Sequence, residues 1–135
     1  GVPAAEAVDG EEIIPGRICV APGDFHFVLK KSGTRTLVSL NQNPQRNSVR
    51  PAVDYLFETA AELYGQKAMA FILTGMGEDG LAGCRKIKEK GGGVMIQDRA
   101  SSVVFGMPGA VFQEGIQDRI GDLSEIHSLI SRMGA

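Results

Sequence analysis

The sequence predicts an α/β fold, a doubly wound and mainly parallel sheet with a β-hairpin near its N-terminus. Three observations carry this. Two short apolar runs, Ala68–Thr74 and Val94-Met95-Ile96, read as strands buried on both faces, as parallel sheets require. Segments with helical spacing lie before, between and after them, and strand–helix alternation argues for a parallel sheet layered by helices. Earlier in the chain, two β-rich runs flank Ser32-Gly33-Thr34, a hairpin signal.

Taken in order, residues 1–16 read as a polar, irregular lead-in closed by Pro15-Gly16. Ile18-Cys19-Val20-Ala21 is a short strand stopped by Pro22-Gly23. His26–Lys30 and Thr36–Leu40 are the hairpin arms, and Asn41–Ser48 is a polar loop. Pro51 suits a first helical turn. Val53, Leu56, Phe57, Ala60, Ala61 and Tyr64 then follow at helical spacing, and Gly65 is a natural stop. The first buried strand leads into the turn Gly75-Met76-Gly77-Glu78-Asp79-Gly80. Leu81–Lys90 is a helix ended by three glycines, and the second buried strand follows. Ser101–Gly106 is a loop or short strand, and Pro108–Glu114 a short helix. Asp122-Leu123-Ser124-Glu125 has the form of a capping box with Asp as the cap. The last helix places Leu123, Ile126, Leu129, Ile130 and Met133 on one face. No repeat or low-complexity tract interrupts residues 1–135, which read as a single domain.

Composition sets the limits. The 135 residues are ordinary in hydrophobic (43%) and charged (22%) content, which excludes a disordered chain. The 18 glycines are roughly twice the average share and fall in short aperiodic clusters, as tight strand–helix turns require. A net charge of −2 argues against broad attraction to nucleic acid or anionic lipid. No apolar run approaches the roughly 20 residues of a membrane helix, so no membrane insertion is expected. The start, Gly1-Val2-Pro3-Ala4-Ala5-Glu6, lacks a basic stretch followed by an apolar one, so no signal peptide is expected, and the absence of Met at position 1 fits a processed or truncated start. Cys19 and Cys84 fit no metal spacing and read as reduced, buried thiols of a cytoplasmic protein. No metal or cofactor is expected.

One motif has two readings. Gly75-x-Gly77-x-x-Gly80 follows a strand, opens a helix and has Asp98 at the end of the next strand, which matches the dinucleotide-binding fingerprint of Rossmann-like layers. Electrostatics opposes it. Glu78 and Asp79 occupy the turn in which a pyrophosphate would sit, and one like-charge pair about 4 Å apart costs about 4 kcal/mol at an effective dielectric of about 20. The helix N-terminus would stabilise an ionised Asp79 instead. Asp79 is then either a helix cap, worth about 1 kcal/mol, or an acid that orients a catalytic imidazole at the ligand-binding end of the sheet. His26 beside Asp24 and His127 in the last helix read as residues without chemistry. Ser101 and Ser102 read as loop hydrogen-bonders. The five methionines read as packing.

Four ordered blocks extend the motif. Leu73–Gly83 (LTGMGEDGLAG) and Gln97–Pro108 (QDRASSVVFGMP) resemble signatures of the chemotaxis protein-glutamate methylesterases of the CheB type. So do Pro15–His26 (PGRICVAPGDFH) and Arg50–Phe57 (RPAVDYLF). The resemblance spans nearly the whole chain. It implies a Ser-His-Asp triad that hydrolyses glutamate γ-methyl esters on chemoreceptors, with deamidation of receptor glutamines as the same acyl chemistry. It makes Asp79 the triad acid and suggests the backbone N–H of Met76 as an oxyanion contact. It places the Ser and His upstream of the Pro15–His26 block, where this chain has fourteen residues and neither residue type. The chain thus resembles the C-terminal part of the catalytic domain, incomplete relative to the family domain. It is expected to be weakly active or inactive alone. The implied partners are the methylated chemoreceptor and, in the parent protein, a receiver domain. A strand left without its neighbour is expected to drive self-association through a sheet edge. The remaining readings are a dinucleotide-binding module and a non-catalytic receptor-docking domain.

Overall fold

The computed structural model describes residues 2–133. A three-stranded parallel sheet organises the C-terminal half. It is built from β5 (Met69–Ile72), β6 (Gly93–Gln97) and β7 (Arg119–Gly121), ordered β5-β6-β7. Before it come a parallel pair, β1 (Ala4–Glu6) with β2 (Ile18–Val20), and the antiparallel hairpin of β3 (His26–Ser32) and β4 (Arg35–Asn41). The helices are α1 (Val53–Tyr64), α2 (Leu81–Glu89), α3 (Met107–Glu114) and α4 (Leu123–Met133).

Strand alternation assigns the layers. Ala70, Ile72, Val94 and Ile96 face one way and form a core with Ala61 of α1, Cys84 and Ile87 of α2, and Val111 of α3. Met95 faces the other way, and a side chain on Gly121 would touch its Cε at 2.7 Å. Ile126 of α4 is buried on this side of the chain, next to β6 and β7. Helices thus cover both faces of β6, as the predicted mixed α/β architecture requires. A second core of Ala7, Phe27 and Val38 sits under the hairpin. Asp122 Oδ1 accepts the Glu125 N–H at 2.8 Å, so the predicted cap of α4 is made.

Three expectations need correction, and one strand was not foreseen. The lead-in is not wholly irregular: Ala4–Glu6 is extended and pairs with β2, a pairing that its Ala-rich composition does not signal. Arg119–Gly121 is a strand, too short and polar to show a period of two. Pro51 does not open the helix; it precedes α1 by two residues, after a cis peptide bond. Finally, β5 is not buried on both faces. Among the described residues β6 is its one hydrogen-bonded neighbour, Met69 and Phe71 are half-exposed, and Leu73 is exposed. An open cleft of about 610 Å³ runs along Met69 and Ala70, lined also by Ile13 and by Leu56, Ala60 and Tyr64 of α1. The apolar side of α4 is similarly uncovered at Leu123, Ile130 and Met133.

Cys84 has no exposed surface. Burial, with the nearby Asp54 charge as the smaller cause, pushes its thiol up to about 12. Alkylation needs the thiolate. Native protein at pH 8.5 is therefore expected to leave Cys84 unmodified by iodoacetamide, with labelling appearing only in urea. The same shift withdraws stability as pH rises above the ordinary thiol range toward 12, because the unfolded chain releases that proton first.

Candidate active site

The site forms where β5 ends. The chain turns through Leu73–Gly80 into α2, and the start of α1 lies alongside. Gly80 has φ +99, and a Cβ there would meet Ile72 Cδ1 at 2.7 Å, so only glycine lets the turn sit this close to its strand. A second segment closes over the turn. Gly75 N–H donates to Val104 O, the Gly75 carbonyl accepts from Gly106 and Met107, and Thr74 Oγ1 exchanges hydrogen bonds with the Val104 backbone. A Cβ on Gly106 would stand 2.7 Å from Gly75 O. Gln97, buried at the end of β6, braces the arrangement. Its Oε1 accepts the Thr74 N–H at 2.8 Å, and its amide donates to Ser101 O.

Two carboxylates cap each other's helices across this junction. Asp79, which precedes α2, accepts the N–H groups of Val53 (2.7 Å, Oδ2) and Asp54 (3.3 Å, Oδ1) at the start of α1. Asp54, in the first turn of α1, accepts the N–H groups of Gly80 (3.0 Å) and Gly83 (2.7 Å) at the start of α2, both on Oδ1. Each negative charge thus meets the positive end of the other helix. The helices approach closely enough that a Cβ on Gly83 would lie 2.5 Å from Phe57 Cβ. Asn47, from the loop after the hairpin, donates its amide to Asp79 Oδ1 and to Asp54 Oδ2, both at 2.8 Å. Arg46 is the nearest cation, 3.9 Å from Asp54 Oδ2, and is itself held in a two-pronged pair with Glu58. Donating hydrogen bonds to Glu58 raises the pKa of Arg46 despite partial burial.

Asp79 is therefore neither turned to solvent nor spent on its own helix. It is 8% exposed and lines a cleft of about 140 Å³ whose other walls are Ala21, Phe27, Pro51, Ala52, Val53 and Leu56. A cavity of about 150 Å³ holds a benzene, so an imidazole fits beside this carboxylate. Three donors occupy Asp79, and an ionised carboxylate has about four acceptor sites. One remains.

The other candidate residues sort cleanly. Met76 is 84% exposed, and no described residue accepts a hydrogen bond from its N–H. His26 is fully buried, and its ring is used on both sides. Nδ1 accepts the Ala52 N–H at 3.2 Å, and Nε2–H donates to Pro44 O at 3.0 Å, which fixes one neutral tautomer. His127 is exposed on α4. Ser101 and Ser102 donate their hydroxyls to Asp98, to its carboxylate and its carbonyl respectively. Those bonds from Ser101 hold the Asp98 carboxyl below its usual range. The dinucleotide pattern is met by residue type and not by charge. The α2 N-terminus that a pyrophosphate would take holds Asp54, and Gly75, the first glycine of the pattern, is hydrogen-bonded to Val104, Gly106 and Met107. Among the described residues no group of His, Cys, Asp and Glu is placed to hold a metal ion. Among the described residues no helix is long and apolar enough to cross a membrane. Asn47 and Asp54 escaped the sequence reading. The Asp in Arg50–Phe57 was visible, but its partner lies across 26 residues.

Fold and site together define a layered α/β domain with a buried acid at the C-terminal end of a parallel strand, beside a cleft of ring size. The CheB methylesterase family model matches residues 1–130. The protein-glutamate methylesterase/protein-glutamine glutaminase 1 of Rhodospirillum rubrum is 48% identical over 132 residues, covering 98% of this chain and 34% of the relative. The protein-glutamate methylesterase/protein-glutamine glutaminase of Trichodesmium erythraeum is 44% identical over 134 residues, covering 98% of this chain and 38% of the relative. Among solved structures, the Thermotoga maritima CheB methylesterase catalytic domain superposes with a TM-score of 0.91 at 44% identity, covering 95% of this chain and 68% of that one. The chain belongs to the CheB methylesterase family. It spans about a third of the length of these curated relatives.

Proposed function

We propose that these residues carry the acid side of a protein-glutamate methylesterase site, in which Asp79 is the third member of a Ser-His-Asp triad. The observation that supports it is the Asp79 carboxylate, fixed by three donors and left with one free acceptor site next to a cleft that fits an imidazole. Neither histidine of the described residues can be that imidazole: His26 has both nitrogens engaged within the fold, and His127 is on α4. The serine and the histidine are supplied from outside this chain. Asp79 accepts the imidazole Nδ1–H, sets the tautomer and stabilises the imidazolium that forms when the serine gives up its proton. The serine oxygen attacks the γ-ester carbonyl of a glutamate on a methylated chemoreceptor. The Met76 N–H, free of a protein acceptor, donates to the developing oxyanion. Methanol leaves with the proton from the imidazolium, and water then hydrolyses the acyl-serine. A glutamine substrate releases ammonia by the same steps. Such a domain works in the cytoplasm on the receptor's cytoplasmic part, beside a receiver domain in the full protein.

The test is methanol release from a methylated receptor by this chain joined to the preceding segment of the Rhodospirillum rubrum relative. Release by the joined protein and little or none by the 135 residues alone supports the proposal. Receptor binding without turnover in the joined protein favours the docking reading and overturns it. The uncovered apolar surface has its own consequence. Ile18 and Val20 of β2, Leu73 and the face of α4 expose apolar surface that a partner element would cover, and β5 offers unpaired backbone along one edge. Sedimentation of the 135 residues is expected to show concentration-dependent self-association, reduced in the joined protein. A dilute-to-concentrated monomer would contradict this.

A further inference from the structure

We propose that Asn47 is a positioning residue for the acid, and that it selects which carboxylate oxygen of Asp79 receives the imidazole. The proposal rests on the reading of Asp79 as the triad acid. A side-chain amide has two N–H donors, and Asn47 spends them on two carboxylates, Asp79 Oδ1 and Asp54 Oδ2, each at 2.8 Å. The amide cannot be reversed, because its oxygen would then face two anionic oxygens. On Asp79, Oδ1 accepts from both Asn47 and the Asp54 N–H, whereas Oδ2 accepts only from Val53. Oδ1 is saturated, and the imidazole N–H goes to Oδ2.

The loop is built to present this amide. Arg46 and Val49 exchange both backbone hydrogen bonds at 3.1 Å, and Asn47 and Ser48 both have positive φ (54° and 64°). That is a two-residue turn of the primed kind, in which Asn is among the few residues at ease. The Arg46–Glu58 pair ties the turn to α1. A turn role accounts for Asn at this position. It does not require the side chain to reach Asp79, 32 residues away. The amide also separates two carboxylates that share one nitrogen neighbour, so its loss sets two anions against each other at the site.

Asn47→Gly separates these roles, since glycine keeps the turn and removes the amide. In the joined protein, methanol release is expected to show kcat lowered about 10- to 100-fold with KM within about twofold. Combined with Asp79→Asn, Asn47→Gly is expected to add little further loss, because it acts through that carboxylate. Where Asn47→Gly melts below the assay temperature, the assay is run at a lower temperature at which circular dichroism shows the variant folded, with the same expectation. An unchanged kcat in a folded variant overturns the proposal. So does an equal fold-loss in the wild-type and Asp79→Asn backgrounds. Full activity of Asp79→Asn itself overturns the underlying triad assignment instead, which keeps the two failures apart.

Discussion

Asp54→Ala is expected to destabilise the chain by about 2–6 kcal/mol, measured as a fall in the urea midpoint with little change in slope. The carboxylate is 2% exposed and accepts the N–H groups of Gly80 and Gly83, which open α2, as well as the Asn47 amide. Alanine offers no acceptor. Two backbone donors at the α1–α2 junction would be left without partners, at about 1–3 kcal/mol each. Water cannot enter easily, because Gly83 packs against Phe57 at a distance that excludes even a methyl group. Domains of this size have about 5–15 kcal/mol in total, so the loss is a large share. Asp54→Asn is the control. Both backbone bonds fall on Oδ1, so an amide oxygen placed there keeps them and only the Asn47 bond is lost. It is expected to cost well under half as much. Equal losses for the two variants would show that charge, not the cap on α2, holds the junction.

Asp79→Asn is expected to lower methanol release by the joined protein about 10⁴-fold, with the protein still folded. That is about 5.5 kcal/mol of transition-state stabilisation at about 1.4 kcal/mol per decade. The carboxylate's part is to accept the imidazole Nδ1–H hydrogen bond and balance the imidazolium charge; an amide NH2 turned to the ring donates and imposes the wrong tautomer, and a neutral amide balances no charge. The substitution also weakens the cap on α1, because the amide N–H2 replaces one of the two acceptor oxygens and so loses either the Val53 bond or those from Asp54 and Asn47. The expected stability cost is about 1–2 kcal/mol. Circular dichroism at the assay temperature therefore separates the two effects. A rate loss far beyond what the unfolded fraction explains belongs to the chemistry.

The parts of the fold carried by local pattern were legible. The hairpin, α1 from its apolar spacing, β6 from its unbroken apolar run and the Asp122 cap all follow from residues near each other in the chain. What escaped depends on distant partners. Ala4–Glu6 is a strand because β2 lies beside it, and Arg119–Gly121 because β6 does. The exposed outer face of β5 could not be read from Ala68–Thr74, since hydrophobicity reports what a strand would bury and not whether a neighbour is there to bury it. The site divides the same way. Asp79 was visible from its turn, and the glycine pattern suggested an anion at the start of α2. The anion there is Asp54, while Asp79 serves α1. Exchange of caps between two helices leaves no trace in spacing, nor does the loop that brings Asn47 to both carboxylates.

The most direct test of the central claim is proton NMR of the histidine ring in the joined protein, compared with its Asp79→Ala form. The account predicts a low-field Nδ1–H resonance from the incoming histidine that disappears when Asp79 is replaced, while the Nε2–H signal of His26 remains. A ring proton unmoved by loss of Asp79, in a folded protein that still releases methanol, would contradict it.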